Sequence, residues 1–145
     1  MANAPCVFCD RQIDPADLVT AWPHWQVIVN RNQNYLGKLM LVLKRHETDV
    51  TALSAAEQEE FWQLLAAVHR ALAALFQPDH FNDVFLMNQD RHVHLHVIPR
   101  YAAPREFAGI VFTDGQLGKH YQFGENFVDV SVRRALSEAL RRHLR

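Results

Sequence analysis

Apolar and polar residues change their period several times along this chain, and each change marks an element. The runs Trp25–Asn30 (WQVIVN) and Lys38–Leu43 (KLMLVL) are short and apolar, with Asn32, Asn34 and Gly37 between them. That pattern predicts two antiparallel strands joined by a loop. From Ser54 to Phe76 the period switches to three and four, placing Phe61, Leu64, Leu65, Val68, Leu72, Leu75 and Phe76 on one stripe. A helix is therefore expected there, packed on a sheet. Ser54–Glu57 (SAAE) is a capping box at its start, and Pro78 follows its end as a stop signal. Val84–Asn88 (VFLMN) reads as a strand and Glu106–Phe112 (EFAGIVF) as another, whereas Thr113–Gly124 carries three glycines and reads as a loop. Asp129–Arg145 reads as a second helix, with Val132, Leu136, Leu140 and Leu144 on its apolar stripe. Short connections without a regular strand-helix alternation give the fold class α+β: an antiparallel sheet with one long central helix and a C-terminal helix on one side.

One stretch carries more than a fold requires. In Asn88–Tyr101 (NQDRHVHLHVIPRY), His92, His94 and His96 alternate with Val93, Leu95 and Val97. Alternation is the signature of a strand with one buried face, so the three imidazoles share one face and the aliphatics the other. A polar strand face that happens to hold histidines is the bland reading, but three at alternate positions exceed what composition alone supplies. Two chemistries fit: metal ligation by neutral imidazole, and catalysis by a histidine nucleophile or base whose other ring nitrogen is held by a partner. Cys6 and Cys9 add a CxxC motif, too little for a disulfide scaffold, which leaves a redox pair or half of a zinc site. Pro5 before it and the turn-like Asp10–Pro15 after it differ from the strand-to-helix setting of a thioredoxin-type pair.

A length of 145 residues suits one domain, 1–145, able to bury a real core. Apolar residues make up 49%, charged residues 21%, and the formal net charge is -1, so the basic excess of a protein that binds nucleic acid polymers is missing. Residues 1–20 include Asp10, Arg11, Asp14 and Asp17 without an apolar run of signal-peptide length, and no stretch reaches the length of a membrane span. The expectation is a soluble, cytoplasmic protein with no membrane partner. Arg133, Arg134, Arg141, Arg142 and Arg145 read as a solvated basic face of the last helix, and His69 as structural or solvated.

The run HVHLHVI fits the His-φ-His-φ-His-φ-φ signature and so resembles the histidine triad (HIT) nucleotide hydrolases and transferases, as do Pro99 and Arg100 after it. CVFC, VIVNRNQNYLGKLMLVLKRH and VFLMN stand in family order, so the resemblance spans a core of about residues 6–101 and leaves 102–145 as a C-terminal extension. It implies a HIT-like fold and a homodimer. Carried over residue by residue, it makes His94 a nucleophile toward the α-phosphorus of a nucleoside phosphoramidate or dinucleoside polyphosphate. His96 would bond a non-bridging oxygen or pass a proton to the leaving group, with His92 completing the triad. Asn30 would bond the ribose, and Asn88, followed by Gln89, would contact the α-phosphate. Water would then release a nucleoside monophosphate from the nucleotidyl-histidine, with no catalytic cofactor. By the same resemblance His46 and His92 would complete a structural zinc site with Cys6 and Cys9.

Two departures stand out. Lys38 occupies a position where many members carry a fourth histidine, and reads either as a point charge for phosphate or as a solvated side chain. Gln89, Asp90 and Arg91 replace a longer, glycine-rich loop. Three alternatives to the hydrolase stay open. A transferase or phosphorylase would pass the same intermediate to another acceptor; a non-catalytic nucleotide-binding protein would not need His94; a zinc or redox module would depend on Cys6 and Cys9 instead.

Overall fold

The computed structural model describes residues 5–144. In chain order its elements are α1 (Val7–Asp10), β1 (Leu18–Ala21), β2 (Trp25–Val29), β3 (Leu39–Leu43), a 3₁₀ turn (Val50–Ala52), α2 (Ala55–Phe76), β4 (His80–Val84), β5 (His94–Arg100), β6 (Arg105–Phe107), β7 (Ile110–Phe112) and α3 (Val130–His143). Strands β1 to β5 form one antiparallel sheet in the order β1-β2-β3-β5-β4, and β6 pairs with β7 alone. The fold is α+β. No helix among the described residues is long and apolar enough to cross a membrane.

Alternation decides which side of the sheet is covered. Trp25, Val27, Val29, Leu39, Leu41, Leu43, Leu95 and Val97 all point one way and are buried. They close on the α2 stripe, Phe61, Leu64, Leu65, Val68, Leu72 and Phe76, and on Val132, Leu136 and Leu140 of α3. The turn into β3 needs Gly37, whose φ of 83° is left-handed and where a Cβ would meet Leu72 at 2.9 Å. The capping box is present: Ser54 accepts from the Glu57 amide, and Glu57 accepts from the Ser54 amide at 2.8 Å. Glu57 also takes two guanidinium hydrogen bonds from Arg45, at 2.6 and 3.0 Å.

Several sequence expectations are corrected. The strand expected at Val84–Asn88 is instead His80–Val84, paired from His80 with Arg100 to Val84 with His96. The apolar run from Phe85 leaves the sheet because Phe85 packs on Phe61, ring centroids 5.6 Å apart, and Met87 turns left-handed at φ 51°. Glu106–Phe112 is a hairpin rather than one strand, since Ala108 and Gly109 both take positive φ, 51° and 77°, as a type I′ turn demands. Strand β1 (LVTA) is an element beyond those predicted from the apolar pattern. It is held by α3, whose Arg141 donates to the carbonyls of Leu18 and Val19 at 2.8 and 3.0 Å. Nor is the α3 face simply solvated: Arg133 is buried and pairs with buried Asp17. Arg134 and Arg142 are exposed, and Arg145 lies outside the described residues.

The hydrogen bonds from Arg45, opposed by burial and joined by the Ser54 amide, hold Glu57 at about 2, below the ordinary 4.5. A carboxylate depressed in the folded state contributes stability above its unfolded value, and that contribution is lost as pH falls through the folded value. Glu57→Gln is therefore expected to lower the urea midpoint at pH 7, with the gap to the wild type closing between about pH 4.5 and 2. A gap independent of pH would contradict this. Ser54→Ala should cost about 1 kcal/mol.

Candidate active site

Strand β5 begins at His94, so the three histidines do not all lie on it as the alternation suggested. His92 sits in the run-in, where its amide donates to Asp90 and where Val93 is stitched to the end of β3: Leu43 donates to the Val93 carbonyl and Val93 to that of Glu47. The His92 ring is buried, with Nε2 at 2.6 Å from the Leu43 carbonyl. The His94 ring is also buried, with Nδ1 at 2.6 Å from the His92 carbonyl. A carbonyl oxygen only accepts, so each of these nitrogens carries its proton. The two rings are thereby set in opposite tautomers: His92 keeps Nδ1 free, and His94 keeps Nε2 free. His96 lies edge-on to His94, centroids 4.9 Å apart.

The register lays out the rest of this face. In one row across the sheet stand Ile28, Met40, His96 and Val84; just past the ends of β2 and β3 the Asn30 amide donates to the Lys38 carbonyl, while Asn82 pairs with Ile98. Burial, helped by His94 and by the Lys38 charge, pushes His96 down to about 4, so it is neutral near pH 7. Burial likewise lowers His92, with His46 and His94 adding to it against the pull of the Leu43 carbonyl. Asn30 accepts from the Asn32 amide at 2.9 Å, an Asx turn that orients its carboxamide. Asn88 and Gln89 are exposed in the loop between β4 and β5.

At the edge of this face Cys6, Cys9, His46 and His92 converge, their ligand atoms all within 4.8 Å of one another. Cys6 Sγ and Cys9 Sγ lie 3.3 and 3.5 Å from His92 Nδ1, and His46 Nδ1 lies 3.4 Å from Cys9 Sγ and 3.2 Å from His92 Nδ1. Tetrahedral zinc with bonds of about 2.3 Å to sulfur and 2.0 Å to nitrogen implies S···N edges of about 3.5 Å and N···N edges of about 3.3 Å. The cluster is compatible with zinc, and the Leu43 carbonyl supplies the outer partner that ligating imidazoles usually have. The turn α1, which begins after Cys6 and includes Cys9, presses Phe8 against both His92 and His94, at 5.4 and 4.9 Å. Sequence reasoning passed over Phe8; its place between two candidate ligands was the available signal.

Arg100 closes the far end of β5. All five guanidinium N–H groups are used: two on Asp114, and one each on Asn82 Oδ1 and the carbonyls of Lys119 and Gln116. Burial alone would raise Asp114, but bonds from Arg100, Gln116 and Tyr101 hold it below the ordinary range. The loop they anchor walls a cleft of about 750 Å³ along β4, which includes His80, Asn82, His120 and Tyr121 but none of the triad. His69, on α2, bonds Asp83 at 3.0 Å and stacks on Phe81, a structural role.

Comparison with protein families matches residues 11–103, well over half of the chain, to the HIT domain. The chain belongs to the HIT family. Among solved structures, a histidine triad protein from Bradyrhizobium japonicum is 24% identical, with a TM-score of 0.66 over 88% of this chain and 91% of that one. A zinc-bound histidine triad family protein from Mycobacterium smegmatis is 20% identical, TM-score 0.67, covering 96% and 92%. Plasmodium falciparum diadenosine triphosphate hydrolase, solved with cyclomarin A, is 14% identical, TM-score 0.69, covering 99% and 86%. A search of curated proteins finds no significant match. In this HIT protein His92 belongs both to the triad and to the Cys/His cluster, while Asn88 and Gln89 are exposed in the loop between β4 and β5.

Opposite tautomers have a direct readout. Nitrogen-15 NMR at neutral pH should find His92 protonated on Nε2 and His94 on Nδ1. The same tautomer in both would contradict the two carbonyl bonds.

Proposed function

We propose that this HIT protein is a nucleotide hydrolase that cleaves at the α-phosphorus through a nucleotidyl-His94 intermediate. The observation that carries the reading is the bond from His94 Nδ1 to the His92 carbonyl, which turns the lone pair of Nε2 to the reactive role. Nε2 attacks the phosphorus in line; the bond to the leaving group breaks and its electron pair departs with that group, which takes up a proton from solvent. Water then attacks the phosphorus, the P–N bond breaks with its electron pair returning to Nε2, the nucleoside monophosphate leaves, and the proton of the attacking water passes to solvent, which restores neutral His94. Of the two roles open to His96, the depressed value favours a neutral ring whose N–H bonds a non-bridging oxygen over a cationic proton donor. Such a step gains most from positioning and from donors aimed at the phosphoryl oxygens. Asn30, with its amide nitrogen free of the Asx turn, suits a ribose hydroxyl, and Asn88 with Gln89 the α-phosphate.

The cluster of Cys6, Cys9, His46 and His92 would hold a structural zinc, which fastens the N-terminal turn to the run-in of β5 and supplies no step of the reaction. We further read the chain as a single cytoplasmic domain working as a homodimer on a nucleotide or dinucleotide. A transferase of the same chemistry is the second reading, since nothing in the triad distinguishes water from another acceptor.

AMP release from adenosine phosphoramidate and from diadenosine polyphosphates should fall on the order of a thousandfold or more in His94→Ala. Release from neither substrate by the wild type, with AMP still bound, would end the hydrolase reading. The purified protein should carry about one zinc per chain, and Cys9→Ser and His46→Ala should lose it and melt several degrees lower. Metal-free protein of unchanged melting temperature would end the zinc reading.

A further inference from the structure

We propose that Lys38 is the cation that holds the transferred phosphate in this site, a role resting on the nucleotide reading above. Position comes first. Lys38 directly precedes β3, joined to Asn30 by the bond from the Asn30 amide to its carbonyl, and stands two residues before Met40, the partner of His96, which makes it a diagonal neighbour of His96. Diagonal neighbours across an antiparallel pair lie about 7–8 Å apart, a span that a four-carbon stem covers. A nucleotide with its ribose at Asn30 and its phosphorus at His94 passes Lys38 on the way.

Charge comes second. The Lys38 ammonium is partly buried and makes one side-chain bond, to the neutral amide oxygen of Asn34 at 2.7 Å. Among the described residues it forms no ion pair with any carboxylate. Burial lowers it to about 8 with no acidic group acting against that. A sequestered cation without a counterion is costly in the free protein, and an anionic ligand recovers that cost. Two of its three N–H donors remain for such a ligand.

Aim comes third. The Asn34 amide donates from Nδ2 to the Gln122 carbonyl at 3.2 Å while its oxygen takes Lys38, and the Gln122 amide donates to the Tyr35 hydroxyl at 2.8 Å. Asn32 bonds the Gly124 carbonyl, and Gln33 the Asn126 carbonyl, in the same strap. Gln122, beyond the HIT match that ends at 103, thus orients the amide that aims Lys38.

The test pairs AMP with adenosine, which lacks only the phosphate. Dissociation constants for both are measured by calorimetry on the full chain for wild type, Lys38→Met, Lys38→Gln and Lys38→Arg, each checked for an unchanged melting curve. AMP binding should weaken about tenfold to a hundredfold in Lys38→Met and Lys38→Gln, the cost of losing a bond to a charged group. It should stay within about threefold in Lys38→Arg, with adenosine binding equal in all four proteins. Unchanged AMP binding in the folded neutral variants, or equal weakening of AMP and adenosine, would overturn the role of Lys38 and leave the nucleotide reading standing. A wild type that binds neither compound would overturn both.

Discussion

A single backbone carbonyl, that of His92, decides how the triad can act. It accepts the Nδ1 proton of His94 and so leaves the Nε2 lone pair free. The same residue is held through its ring, by the Leu43 carbonyl on one nitrogen and by the Cys/His cluster around the other. A histidine that ties three partners at once cannot tilt without disturbing all of them. This is why His92 stands outside the strand that carries the other two: a regular β5 backbone would commit its carbonyl to a ladder.

Two buried arginines extend that constraint outward. Arg100, at the end of the triad strand, spends every donor on Asp114, Asn82 and two loop carbonyls. Arg133 pairs with Asp17 and so clamps α3 to the entry of β1. Arg133 also donates to the Val128 carbonyl, and the described residues leave no buried side-chain polar atom without a partner. Removal of one partner from such a pair is far costlier than the pair is worth. The C-terminal third is therefore part of the scaffold around the site, from the loop under Arg100 to the strap on Asn32 and Asn34.

Periodic elements were legible. The α2 stripe, its capping box, β2, β3 and the α3 stripe follow from local repetition, because burial of one face imposes a period that the sequence must obey. β1 and β4 were not legible, since both are short edge strands, held by backbone pairing and by side chains from far away, and each lends the core little beyond Val19 or Phe81. The apolar run of Phe85 to Met87 misled for the same reason: it closes a corner of the core instead of pairing.

The sequence by itself determined the chemistry on offer: a repeat of three histidines, two cysteines, an asparagine at a strand end and a lysine beside a required glycine. The alternation also put His94 and His96 on one face of β5. Only the tertiary structure decided which nitrogen of the His92 and His94 rings is free, that four candidate ligands from three segments meet within 4.8 Å, and that Lys38 is partly buried with no carboxylate partner among the described residues. Tautomer, cluster and unpaired charge all depend on atoms brought together from distant parts of the chain. No local pattern encodes such distances, because they are set by how the sheet, the helices and the terminal strap pack against one another.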